Sequence, residues 1–105
     1  MKAKEIRDRL RSLDFRECKK WEDVYEMIRE ELRHETWVTD SEDAEDYFEE
    51  MFGKDFDRDN VRHDDIWEET VNVDNRDYDV VVVEHYVDSG SVDYLYSCDI
   101  GEKIW

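Results

Sequence analysis

The hydrophobic period changes once along this chain, and that change decides which folds are open to it. Through the first half, apolar residues recur at helical spacing: Ile6, Leu10 and Leu13, then Trp21, Val24, Tyr25, Ile28 and Leu32, then Ala44, Tyr47, Phe48, Met51 and Phe52. Such stripes put one apolar face on a helix, so helices are predicted at about 3–13, 20–34 and 40–52. Trp37, Val38 and Thr39 read as an extended connection. Thr39 with Glu42 predicts a capping box for the third helix, and Gly53 sits where a glycine past the last turn would end it.

After a charged connection at 54–65 the period becomes two. Trp67, Val71 and Val73 share one face of a strand, with Glu69 among them. Asp74-Asn75-Arg76-Asp77 predicts a turn, residues 78–87 a long second strand, and Asp88-Ser89-Gly90-Ser91 a second turn in which Gly90 supplies the positive φ. Val92, Tyr94, Tyr96 and Cys98 then line one face of a third strand. Short links make neighbours antiparallel. The predicted fold class is therefore α+β, about three helices followed by a three-stranded antiparallel β-meander with 78–87 at its centre. That central strand is apolar on both faces, Val80 and Val82 on one, Val81, Val83 and Val87 on the other. Helices packed as one layer cover only one face, so the other needs the termini, a remaining helix or a second chain. A homodimer is thus an open alternative.

A chain of 105 residues is one domain's worth, with no visible linker or repeat. Its 32 acids against 15 bases, net −17, would suit a disordered tail, but 14 aromatics are what such tails lack. By segment, residues 1–34 hold nine acids and ten bases, a near-neutral helical part. Residues 35–105 hold 23 acids and five bases, a strongly acidic part of net −18. Asymmetry of this kind speaks to partners rather than to fold. It disfavours direct nucleic-acid binding and anionic membranes. No apolar run approaches the roughly 20 residues of a membrane span, and the start MKAKEIRDRL lacks the apolar stretch of a signal peptide. Cys18 and Cys98 form no CxxC and are expected as reduced thiols. A cytoplasmic protein is expected.

Motifs for chemistry are sparse. Asp55, Asp57 and Asp59 match the first ligands of a calcium loop, but Ile66 stands where the bidentate Glu belongs, so a solvated acidic loop is the preferred reading and no metal or other cofactor is expected. His34, His63 and His85 have no partner at ligand spacing, and the three glycines are too scattered to cradle phosphate. Paired carboxylates carry no information in a chain this acidic. No enzymatic role is expected.

Spacing gives the acids a different meaning. Carboxylates at i, i+2 on a strand stand about 6.6 Å apart, close to two phosphate steps of a nucleic-acid strand. Asp55, Asp57 and Asp59, and again Asp77 and Asp79, have that spacing if extended. Glu42, Asp43, Glu45, Asp46, Glu49 and Glu50 put acids three and four apart along the third helix. These eleven residues are the candidate partner-binding face. In size, composition and the run Ser41-Glu42-Asp43-Ala44-Glu45-Asp46-Tyr47-Phe48-Glu49-Glu50, acids interleaved with aromatics, the chain resembles the phage-encoded DNA-mimic inhibitors of the anti-CRISPR and anti-restriction kind. That resemblance implies stoichiometric binding to a basic nucleic-acid-binding protein or complex of host defence, in the host cytoplasm, with the DNA- or RNA-binding channel blocked. Those inhibitors share no consensus, so no residue role carries over. The alternatives are a halophile-type or generic acidic domain and a barstar-like antidote to a basic nuclease toxin. Tyr47 is a candidate aromatic anchor or a core residue of the helical stripe.

Overall fold

In the computed structural model, which describes residues 2–88 and 93–103, the helical stripes form α1 (Lys2–Arg11), α2 (Trp21–Glu31) and α3 (Ser41–Phe52). None is long and apolar enough to cross a membrane. The cap of α3 differs from the expected Thr39/Glu42 pair. Asp40 is the N-cap, its carboxylate accepting from the Asp43 N–H at 2.8 Å, while the Asp43 carboxylate accepts from the Thr39 N–H at 3.1 Å. Two carboxylates at the positive end of the helix dipole satisfy its orphan donors better than a hydroxyl does. Gly53 ends the helix at φ +97°, donating its N–H to the Glu49 carbonyl at 2.9 Å.

The fold is α+β, but the sheet has four strands and is mixed rather than a three-stranded antiparallel meander. Its strands are β1 (Thr36–Trp37), β2 (Val61–Val73), β3 (Arg76–Val87) and β4 (Leu95–Glu102), in the order β1-β4-β3-β2. β2, β3 and β4 pair antiparallel with β3 between the other two, as expected; β1 adds a parallel edge to β4. The extended stretch between α2 and α3 runs beside β4 far enough for the Val38 N–H to reach the Tyr96 carbonyl at 2.8 Å.

Part of the predicted charged connection is strand. β2 begins at Val61, and a bulge interrupts its register with β3 between Asp65 and Trp67. The bulge lets consecutive residues Ile66 and Trp67 both bury themselves, which simple alternation forbids. Arg7 of α1 donates Nε to the Ile66 carbonyl at 2.6 Å. The predicted four-residue turn tightens to two, Asp74 and Asn75, both at positive φ (53° and 65°), with Val73 facing Arg76. Asp and Asn tolerate that conformation, and two such residues match the twist of a hairpin. The expected second turn and Val92 fall largely at 89–92, outside the described residues.

Helices occupy both faces of the sheet. α1 and α2 pack Ile6, Leu10, Val24, Ile28 and Leu32 against Trp67, Val71, Val80, Val82, Tyr96 and Cys98. On the reverse face α3 sets only Ala44 and Phe48 against Val61, Val87 and Leu95. This answers the question of the second apolar face: α3 covers one end, Val83 is buried there without joining the α3 cluster, and Val81 is left half-buried.

Candidate functional site

The reverse face is where the acids collect. Of the predicted row on α3, Glu42, Asp43, Asp46 and Glu50 are exposed and Glu45 and Glu49 half-buried. They are not equivalent. Asp43 is committed to the cap. Arg58 leans across from the short 3-10 turn Arg58–Asn60 and pairs with Glu45 at 3.4 Å, Asp46 at 2.8 Å and Glu49 at 3.3 Å. Glu42 and Glu50 show no ion pair among the described residues. Beside this row the helical stripe is not the core face it promised to be: Tyr47, Met51 and Phe52 are exposed, at 41%, 43% and 49%. Phe52 stacks between Phe48 and Phe56, at 6.3 and 5.3 Å between centroids. A single sheet end offers too little apolar surface to bury a whole helical stripe.

The Asp55-Asp57-Asp59 run does not form the extended row predicted for it. Asp55 sits in a turn after α3, Asp57 caps the 3-10 turn by accepting the Asp59 N–H at 3.0 Å, and Asp59 is itself helical. The side chains of aspartate compete for nearby backbone donors, and a run of them at i, i+2 favours that over a straight strand. Among the described residues no group of three or more His, Cys, Asp or Glu side chains is placed to hold a metal ion.

Asp77 and Asp79 do share one face of a strand. Each accepts a hydrogen bond across the hairpin, Asp77 from Asn72 Nδ2 at 2.9 Å and Asp79 from Thr70 Oγ1 at 3.0 Å. Register then brings in acids that spacing along the chain did not single out. Val81 lies opposite Glu68 of β2 and Asp99 of β4, and Val83 opposite Asp65. Directly opposite residues point to the same side of a sheet, so Asp65, Glu68, Asp77, Asp79 and Asp99 surround Val81 and Val83 on the part of the face that α3 leaves open. Only the strand pairing reveals this grouping, because its members are up to 34 positions apart (Asp65 to Asp99).

Under α3 the two faces are wired differently. His63 and His85 face each other across β2 and β3, Nδ1 to Nδ1 at 2.6 Å; His85 Nε2 lies 2.8 Å from Ser97 Oγ, and His63 Nε2 lies 3.3 Å from Glu45 Oε1. With both rings neutral every group is satisfied in one direction: Ser97 donates to His85, His85 to His63, and His63 to the Glu45 carboxylate. Burial, with His63 as neighbour, pushes His85 down from 6.5 to about 4. Ser97 is buried, so this chain of bonds ends inside the protein. On the opposite face Glu84 is buried and accepts from the Tyr96 hydroxyl at 2.9 Å; burial raises the carboxyl, and burial with the Glu84 contact raises the phenol. Both cysteines are free, and burial pushes the Cys98 thiol up to about 12.

Comparison with known proteins found no matching family model, no matching curated protein and no matching solved structure.

Proposed function

We propose that this protein is an acidic inhibitor that docks its α3 face in the Lys/Arg-lined channel of a nucleic-acid-binding complex, in place of DNA or RNA. The target class is a defence nuclease complex, and the action is stoichiometric occupancy rather than catalysis. The observation that carries the reading is the pairing on one helix of acids with exposed large apolar side chains, two of them aromatic: Glu42, Asp46, Glu49 and Glu50 beside Tyr47, Met51 and Phe52. Charge steers a basic partner and discriminates among partners, but binding energy concentrates in apolar and aromatic anchors. A face that served solubility alone has no use for three exposed large apolar side chains. The carboxylates around Val81 extend the same charge beyond the helix.

The test is competition. A complex recovered with this protein at low salt should be released by DNA or RNA and by high salt, with association slowing steeply as ionic strength rises. Replacing Glu42, Asp46 and Glu50 by Gln, Asn and Gln should abolish inhibition without loss of the folded circular-dichroism signal. Full inhibition by that variant would sink the assignment of α3 as the docking helix.

A further inference from the structure

The two outer edges of the sheet are finished differently. β2 is bulged, bears Asp64, Asp65, Glu68 and Glu69, and has its Ile66 carbonyl bonded by Arg7, all devices that discourage strand addition. The β4 edge is covered by β1 only at Leu95 and Tyr96, and the last bond on that side among the described residues is from the Val38 N–H to the Tyr96 carbonyl. Lys103 donates its N–H to Asp77 of β3 at 2.8 Å, which sets the alternation: odd residues of β4 bond inward to β3. Cys98, Ile100 and Glu102 therefore turn their N–H and C=O groups outward. They span about 13 Å, the length of a five-residue partner strand.

Alongside this edge runs a groove of about 580 Å³ between α2, β1, the start of α3 and β4. Its apolar wall is Trp21, Tyr25, Trp37 and Ile100, and its acids are Glu22, Glu26, Asp43 and Asp99. Arg29, the only base in its lining among the described residues, is already stacked on Tyr25 and Trp37, at 5.6 and 4.9 Å to the ring centroids. Trp21 is 43% exposed despite its place in the helical stripe, leaving a ring face for a visiting cation.

We infer that the β4 edge and this groove form a second docking site, which takes an extended, Lys/Arg-bearing segment of a partner protein as an added strand. Backbone pairing with Cys98, Ile100 and Glu102 supplies affinity, and alternate side chains of the visitor fall into the aromatic groove. The acids around the groove select a basic visitor. They also argue against a second copy of this chain, because β4 pairing with β4 would bring Asp99 and Glu102 of two bodies of net charge −17 together. The inference does not rest on the α3 docking face: a channel presents a charged wall, whereas this edge needs a free strand.

The experiment uses the full chain, ¹⁵N-labelled, and the capped peptide acetyl-Val-Arg-Val-Lys-Val-amide. Shifts are expected at the amides of Cys98, Ile100 and Glu102, with little change along β2. N-methylation of the central peptide nitrogens should weaken binding at least about tenfold, and Trp21→Ala, at an exposed position, should weaken it by about tenfold. Equal binding of the N-methylated peptide, or of a peptide with Glu in place of Arg and Lys, would overturn the strand-addition site. So would shifts confined to α3 or β2, or a concentration-dependent dimer that protects the β4 amides. Loss of α3-dependent inhibition leaves these shifts untouched, so the two readings fail separately.

Discussion

The two faces of this sheet are built from the same strands and covered in opposite ways. On one, α1 and α2 bury a continuous core from Ala3 to Cys98 beneath a helical layer whose charges nearly balance. On the other, α3 rests on Ala44 and Phe48 alone, and the rest of its surface, with the open end of the sheet, carries carboxylates and unburied aromatics. The negative charge is uneven, its excess lying in residues 35–105 rather than in the two helices of the first third. Like charges crowded on one side repel each other and cost stability. The balanced side, with its larger core, offsets that cost. The larger core and the α3 acids are separated by the thickness of one sheet.

The strongest way to break this comparison is to remove the anchor of each side. Phe48→Ala should cost about 3–4 kcal/mol, the usual cost of deleting a fully buried aromatic, and most of the lost hydrogen-exchange protection should fall in α3. Ile28→Ala, in the large core, should cost about 3 kcal/mol and lower protection throughout. Uniform loss in both variants would show that the sheet faces do not act as separate units.

His85 makes the α3 side sensitive to acid. Its folded value of about 4 lies below the unfolded 6.5, so the unfolded chain takes up a proton first as the pH falls. Stability is full above about 6.5, declines through the interval, and levels off near 4, a loss of about 2 kcal/mol once partial solvation is allowed for. The groups facing the ring are His63 of β2, Asp40 and Glu45 of the α3 segment, and Ser97 of β4. Urea melts of wild type and His85→Gln at several pH values between 7 and 4 should diverge over that window. Parallel curves would remove the histidine from the account.

Glu84, the neighbour of His85 on β3, faces the α1–α2 side and works with the opposite sign. Its raised carboxyl means that the folded chain holds a proton more tightly than the unfolded one. Its contribution is present below the unfolded value and is lost as the pH rises through the folded one. Glu84→Gln keeps an acceptor for Tyr96 and should gain on wild type as pH is raised from 4 toward 8, whereas a constant difference would mean that the carboxyl titrates alike in the folded and unfolded chains.

What could be read from the chain follows from which interactions are local. The three helices announce themselves through i, i+3, i+4 spacing, and the hairpin at Asp74-Asn75 through residues that accept positive φ. The start of β2 was hidden because the bulge at Ile66 shifts the phase of the alternation, so Val61, His63 and Asp65 do not line up with Trp67 and Val71. The extended stretch at Trp37 is legible, but its parallel pairing with β4 is not, because a partner so far along the chain leaves no local signal. Among the acids, the α3 row is legible from helical spacing, whereas Asp55, Asp57 and Asp59 have strand spacing only if extended, a condition not met because nearby backbone donors draw the Asp57 carboxylate into a cap. The His63–His85 contact and the acids around Val81 are products of strand register, a long-range property without a local signature.

The smallest predicted effect separates charge from architecture on the α3 face. Arg58 pairs with Glu45, Asp46 and Glu49 through a half-exposed side chain, where solvent screening leaves such ion pairs little effect on stability. Arg58→Gln should therefore leave the melting curve nearly in place while freeing Asp46 and Glu49 from their ion pairs and removing one positive charge from the face. If free carboxylates are what a basic partner meets, the variant should bind polylysine several-fold more tightly than wild type at low salt, with the difference shrinking as the Debye length falls below the spacing of the charges. Weaker binding would mean that Arg58 holds the acids in the positions a partner reads. The face would then be a fixed pattern of charge, and its recognition would depend on geometry rather than on net negative potential.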